Sequence, residues 1–137
     1  MHWLAQQATE LQARALTYQQ ARVHSPQTAS EARRRLFDAL REVVDELARR
    51  EGVIASFVQH EGLLMEGVGD RQELEAAAAM AQLLLPPIAQ VRKTLSLGEV
   101  QQLVLVGEER KLVLLILPEI CLGLIAPADV RLSERLS

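Results

Sequence analysis

The sequence predicts an α+β fold, a five-stranded antiparallel sheet between helices with an extra N-terminal helix, and three observations carry this reading. Apolar residues recur at helical spacing over residues 2–22, 26–50 and 70–95. The spacing changes to that of strands over residues 53–67 and again over 99–125. Hairpin-type turns link the strands on both sides of the helix at 70–95, which implies an antiparallel sheet rather than parallel βαβ units.

The first helix carries Leu4, Ala8, Leu11, Ala15 and Tyr18 at alternating steps of four and three, with a Gln-rich face opposite. Two heptads with two alanines in the seam are too little for an independent coiled coil. The helix is expected to dock on its own domain or a dimer mate, or to act as a detachable arm. His24-Ser25-Pro26-Gln27 interrupts the pattern, because the residue before a proline resists the helical region. This divides the chain into an N-terminal helix, residues 1–24, and a domain, residues 25–137. Two signals open the second helix: Pro26 after Ser25, and a capping box of Thr28 with Glu31. Its buried stripe is Ala32, Leu36, Phe37, Leu40, Val43, Val44 and Leu47. Arg49, Arg50 and Gly52 mark its end.

Val53 to Gln59 and Leu63 to Gly67 read as a hairpin turning at His60-Glu61-Gly62. Asp70 with Glu73 then caps a helix to about Leu95 that is apolar on two opposite faces. Placed about 100° apart, Leu74, Ala77, Ala78, Ala81, Leu84, Leu85, Ile88 and Leu95 form a stripe fit to cover a sheet. Ala76, Ala79, Met80, Leu83 and Pro87 form a second stripe opposite. A helix apolar all round is buried on more than one side, and a chain this short has no second layer to supply the cover. Pro86 and Pro87 each remove a donor and clash with the preceding turn, at about 3 kcal/mol in a helix interior. A kink or break is expected there, with a second short helical piece from about Pro87 to Leu95.

Ser96-Leu97-Gly98 ends the helix. Glu99 to Val106, Lys111 to Leu117 and Ile120 to Ile125 follow as strands, the last two apolar on both faces as central strands are. Pro127 to Leu136 reads as one short terminal helix.

That order, with the wording GVIASFVQHEGLLMEGVGD running into ELEAAAAMAQLLL, resembles the roadblock or dynein light chain family over residues 28 to 137. Glu61-Gly62 matches the family's hairpin turn, Leu74 to Leu85 its Ala/Leu helix, Val100 to Val106 its third strand, and Ala126-Pro127 its departure into the last helix. The resemblance implies a profilin-like sandwich whose third strand pairs with that of a second subunit, the central helices lying side by side across the dimer axis. It also implies a dimeric platform for small Ras-like GTPases or for motor and signalling complexes. Gliding-motility members stimulate a partner GTPase by remodelling its own site, without an arginine finger. Three features depart from the pattern: the extra N-terminal helix, the short last helix, and Pro86-Pro87. The extra helix is expected to fill the surface that the shortened one leaves bare.

Composition narrows the function classes. The chain of 137 residues is 49% hydrophobic and 24% charged, as one globular domain should be. A net charge of -3 and a pI near 5.6 offer no long-range attraction for nucleic acid, and Glu31, Asp38 and Glu42 surround the Arg33-Arg34-Arg35 cluster. No apolar run approaches the roughly 20 residues of a membrane span. No secretory pattern follows Met1, and Cys121 reads as a small buried hydrophobe, so a cytoplasmic location is expected.

Catalytic motifs are missing. None of the seven glycines opens a P-loop, and Gly67-Val68-Gly69 runs into Asp70, which repels an anion. His2, His24 and His60 stand far apart without ligand-spaced partners, Ser56 has no nucleophile elbow, and Glu108-Glu109 reads as a solvated loop. No cofactor or metal is expected.

The favoured reading is a homodimeric, non-catalytic regulator or scaffold for a small Ras-like GTPase. Its dimer or partner interface would use Ala76, Met80, Leu83 and Pro87 from the helix, with Val100, Gln102 and Leu103 from the paired strand. A one-residue slip in register exchanges which strand residues face the partner. The alternatives are a sensory module binding a small apolar ligand, and a dimeric assembly subunit without a GTPase.

Overall fold

The computed structural model describes residues 2–24 and 26–131, in the order α1 (His2–His24), α2 (Pro26–Arg49), β1 (Ala55–His60), β2 (Leu63–Val68), α3 (Arg71–Leu95), β3 (Gln102–Val106), β4 (Arg110–Ile116) and β5 (Cys121–Pro127). The five strands form one antiparallel sheet in the order β2-β1-β5-β4-β3. The fold is therefore the α+β arrangement expected from the hairpins. β5 closes it by pairing with β1 on one side and β4 on the other, leaving β2 and β3 at the edges.

Two cores lie on the two faces of the sheet. On one, Leu36, Leu40, Val43, Val44 and Leu47 of α2 pack on Val58, Val113, Leu122 and Leu124. Leu4, Leu11 and Ala15 of α1 complete that core, and the Arg50 guanidinium stacks on Trp3, 4.7 Å from the ring centroid. α1 thus docks on its own sheet and helix. On the other face, Leu74, Ala78 and Ala81 of α3 pack on Ala55, Phe57, Leu114, Cys121 and Ile125. One polar tie crosses the first core, where the buried Ser56 hydroxyl donates to the Val44 carbonyl at 2.7 Å.

Local chemistry sets the turns. Glu61 and Gly62 both take positive φ (53° and 83°), the geometry of a two-residue hairpin whose twist matches the strands. The Gln59 side chain holds that turn by accepting from the Gly62 N–H at 2.7 Å. Asp70 caps α3 by accepting from the Glu73 N–H at 3.0 Å, as the capping signature predicts. Ser96 closes the helix in the left-handed region (φ 55°), with Leu97 N–H donating back to the Arg92 carbonyl.

Several expectations are corrected. α3 runs unbroken from Arg71 to Leu95 through Pro86 and Pro87. Both prolines are exposed, so each ring sits without crowding the core, and the cost falls on carbonyls in the preceding turn that lose their donors. α2 starts at Pro26, which puts Thr28 and Glu31 inside the helix, where Glu31 pairs with Arg35 at 2.7 Å instead of closing a capping box. Ser25 lies outside the described residues. β3 begins at Gln102 rather than Glu99, its contact with β4 opening at the Gln101 carbonyl, which accepts from Ile116 N–H. Pro127 ends β5 instead of opening a helix, held by Ala128 N–H donating to the Glu109 carbonyl. A turn follows, and residues 132–136 of the expected terminal helix lie outside the described residues.

Candidate interaction surface

α3 starts where β2 ends, with Leu74 against Gly67, and Gln82 reaches the β1–β2 turn at Gly62. Twenty-five helical residues extend about 37 Å, whereas strands of six or seven residues extend about 20–23 Å. The helix therefore outruns the strands, and from about Ala89 onward it passes beyond the end of the sheet. Leu95, expected in the sheet-facing stripe, is 63% exposed for this reason.

The two-faced character of α3 is present in the structure. Leu74, Ala78 and Ala81 are buried and Ala77, Leu84, Leu85 and Ile88 are half-buried on the sheet side. Opposite them Ala76, Ala79, Met80, Leu83 and Pro87 are all exposed, Met80 by 52% and Leu83 by 65%. By length and composition α3 could cross a membrane, yet it is a core helix with one stripe committed to the sheet. The outer stripe has no cover among the described residues.

β3 supplies a second bare surface. Ile116 N–H donates to the Gln101 carbonyl and Gly107 N–H to the Arg110 carbonyl, both at 2.9 Å. Antiparallel ladders alternate, so the odd-numbered residues between them turn their main-chain groups to β4, and Gln102, Val104 and Val106 turn theirs outward. Leu103 packs with the α3-side core, opposite Leu114, which places Leu105 on that face and Gln102, Val104 and Val106 on the other. Val104, Leu105 and Val106 are exposed. An edge strand with bare hydrogen-bonding groups and apolar side chains on both faces is a template for pairing.

Of the residues singled out in the sequence, Ala76, Met80, Leu83 and Pro87 share the outer face of α3, and Gln102 and Leu103 lie on β3. Val100 precedes the strand. It lines a groove of about 670 Å³ with Ala8 and Thr9 of α1 and Leu115, Leu117 and Pro118 at the end of β4. Val104, Leu105 and Val106 were not singled out; the signal for them is the unbroken apolar run at 103–106 beside two glutamines, legible once the Leu103–Leu114 pairing fixes the register.

Burial pushes the Cys121 thiol up to about 11, against a hydrogen bond with Gln59 that acts the other way, so it stays protonated near neutral pH. His60 is tied at the hairpin end, its Nδ1 2.6 Å from the Glu119 carbonyl. Among the described residues no three His, Cys, Asp or Glu side chains group as metal ligands.

Comparison with solved structures places this architecture in the roadblock/LC7 fold. A roadblock/LC7 domain from Streptomyces avermitilis superposes with a TM-score of 0.62 at 18% identity, covering 69% of this chain and 83% of that one. MglB of Myxococcus xanthus gives 0.63 at 18% identity, covering 71% and 76%. The gliding protein MglB of Thermus thermophilus gives 0.60 at 18% identity, covering 69% and 75%. No protein-family model matches the sequence, and no curated protein matches it either.

Proposed function

We propose that this chain is a homodimeric, non-catalytic regulator or scaffold that binds a small Ras-like GTPase. The observation that carries the reading is the coincidence, on a roadblock/LC7 fold, of an uncovered apolar stripe on α3 with a bare, apolar edge at β3. Each alone is an incomplete surface. Together they are what one self-complementary contact needs, since a two-fold axis lets the same patch serve both copies.

The side chains along α3 favour this arrangement. The stripe has a small half, Ala76 and Ala79, and a large half, Met80, Leu83 and Pro87. Antiparallel packing of two copies sets large against small, so that Leu83 of each copy enters the notch left by Ala76 and Ala79 of the other. β3 paired with β3 makes a ten-stranded sheet and satisfies the outward main-chain groups of both edges. The interface uses Ala76, Met80, Leu83 and Pro87 with Gln102, Leu103 and the strand's approach at Val100. The sequence resemblance and the likeness in fold to MglB support a GTPase as the partner.

Titration of the purified chain with small Ras-like GTPases from its own source, loaded with GDP or a GTP analogue, tests the function. Nucleotide-dependent binding at two chains per GTPase is expected. Binding indifferent to nucleotide, or none by an intact dimer, moves the assignment to a structural assembly subunit.

A further inference from the structure

The overhanging end of α3 is not used by the contact described above. From Ala89 to Glu99 every residue but Arg92 is exposed, with Leu95 at 63% and Leu97 at 56%. Arg92 is paired with Glu99 at 2.8 Å, an exposed ion pair between the helix end and the approach of β3. Lys93 makes no ion pair among the described residues. At the opposite end of β3, Glu108 and Glu109 stand exposed at the hairpin tip and are equally without an ion-pair partner. The neighbouring cation, Arg110, is turned back onto Glu73 of its own chain. One molecule thus carries a free cation with bare leucines at one end of an edge strand, and two free carboxylates at the other.

Antiparallel pairing of β3 with β3 brings these ends together. The register that uses all three outward residues sets Val104 against Val104 and Gln102 against Val106 of a second copy. Continued outward, Gln101 lies beside the other copy's Gly107, and Val100 and Glu99 beside its Glu108 and Glu109. Leu105 of that copy, 46% exposed on the α3 face, lies opposite Leu103 in this register. We propose that the end of α3, through Lys93, Leu95 and Leu97, is the seat of the β3–β4 hairpin tip of a second copy, its Glu108 and Glu109 facing Lys93. The contact occurs twice by symmetry and fixes the strand register, which main-chain bonding alone leaves free to slip by two residues. It rests on the homodimer reading and adds to it the residues that set the alignment.

The test is the monomer–dimer constant of the full chain by sedimentation equilibrium at low and high ionic strength. Glu108→Lys with Glu109→Lys lies on an exposed turn and leaves the fold intact. At low salt it weakens the dimer by about tenfold or more, and added salt narrows the gap. Adding Lys93→Glu to that variant restores much of the affinity. A tip variant that dimerises as the unaltered chain does overturns the proposal while leaving the homodimer standing, and so does a failure of Lys93→Glu to restore. An unaltered chain that is monomeric overturns both.

Discussion

Gly123 shows at the residue scale how closely the two halves of the fold are fitted. It lies opposite Phe57 across the β1–β5 ladder, and a Cβ there would stand 2.3 Å from the Phe57 ring. The ring is fully buried beneath α3, between Ala55, Leu114 and Cys121, so it has nowhere to move. Gly123→Ala is expected to lower stability by about 1–3 kcal/mol, the usual cost of overpacking a filled core. Urea unfolding followed by circular dichroism checks it, and an unchanged midpoint contradicts the packing described. Nothing in the sequence announces this glycine, because its reason is a ring from a strand more than sixty positions away.

Elements were legible to the extent that their reasons are local. The stripes of α1, α2 and α3 follow from spacing alone, and Leu4, Leu11, Leu40, Leu47, Ala78 and Ala81 are buried as their positions on the wheel require. Of the kink or break expected at Pro86-Pro87 the break does not occur: the helix runs on with both rings exposed, and the carbonyls of the preceding turn lose their donors. Leu95 was misplaced because a helical wheel records direction but not where the sheet ends. α1 is the element whose role the sequence left most open. Its Leu4, Leu11 and Ala15 lie in the α2-side core, and Trp3 is clasped by Arg50. Deleting residues 1–22 uncovers Leu36, Leu40 and Leu47 and should lower the Tm by more than about 5 °C. An unchanged Tm means that α1 is an arm and not part of the fold.

For the whole molecule, what could be read from the sequence was that something must cover α3. The sequence offered Val100, Gln102 and Leu103 from the strand without the register that decides their directions, and the Leu103–Leu114 pairing supplies it. The outer stripe of α3, the edge of β3 and the end of α3 are each bare among the described residues. Covering them with a second copy accounts for all three with a single contact, and the GTPase reading builds on that contact. The decisive measurement is the solution mass of the full chain by light scattering during size exclusion, run beside Leu83→Glu. Leu83 is exposed in the single chain, so the substitution spares the fold, but it would place a charge in the desolvated centre of the proposed contact. The unaltered chain is expected at twice its 15.2 kDa mass and Leu83→Glu at the single mass with the same helix content. A monomeric unaltered chain, or a dimer untouched by Leu83→Glu, contradicts the account.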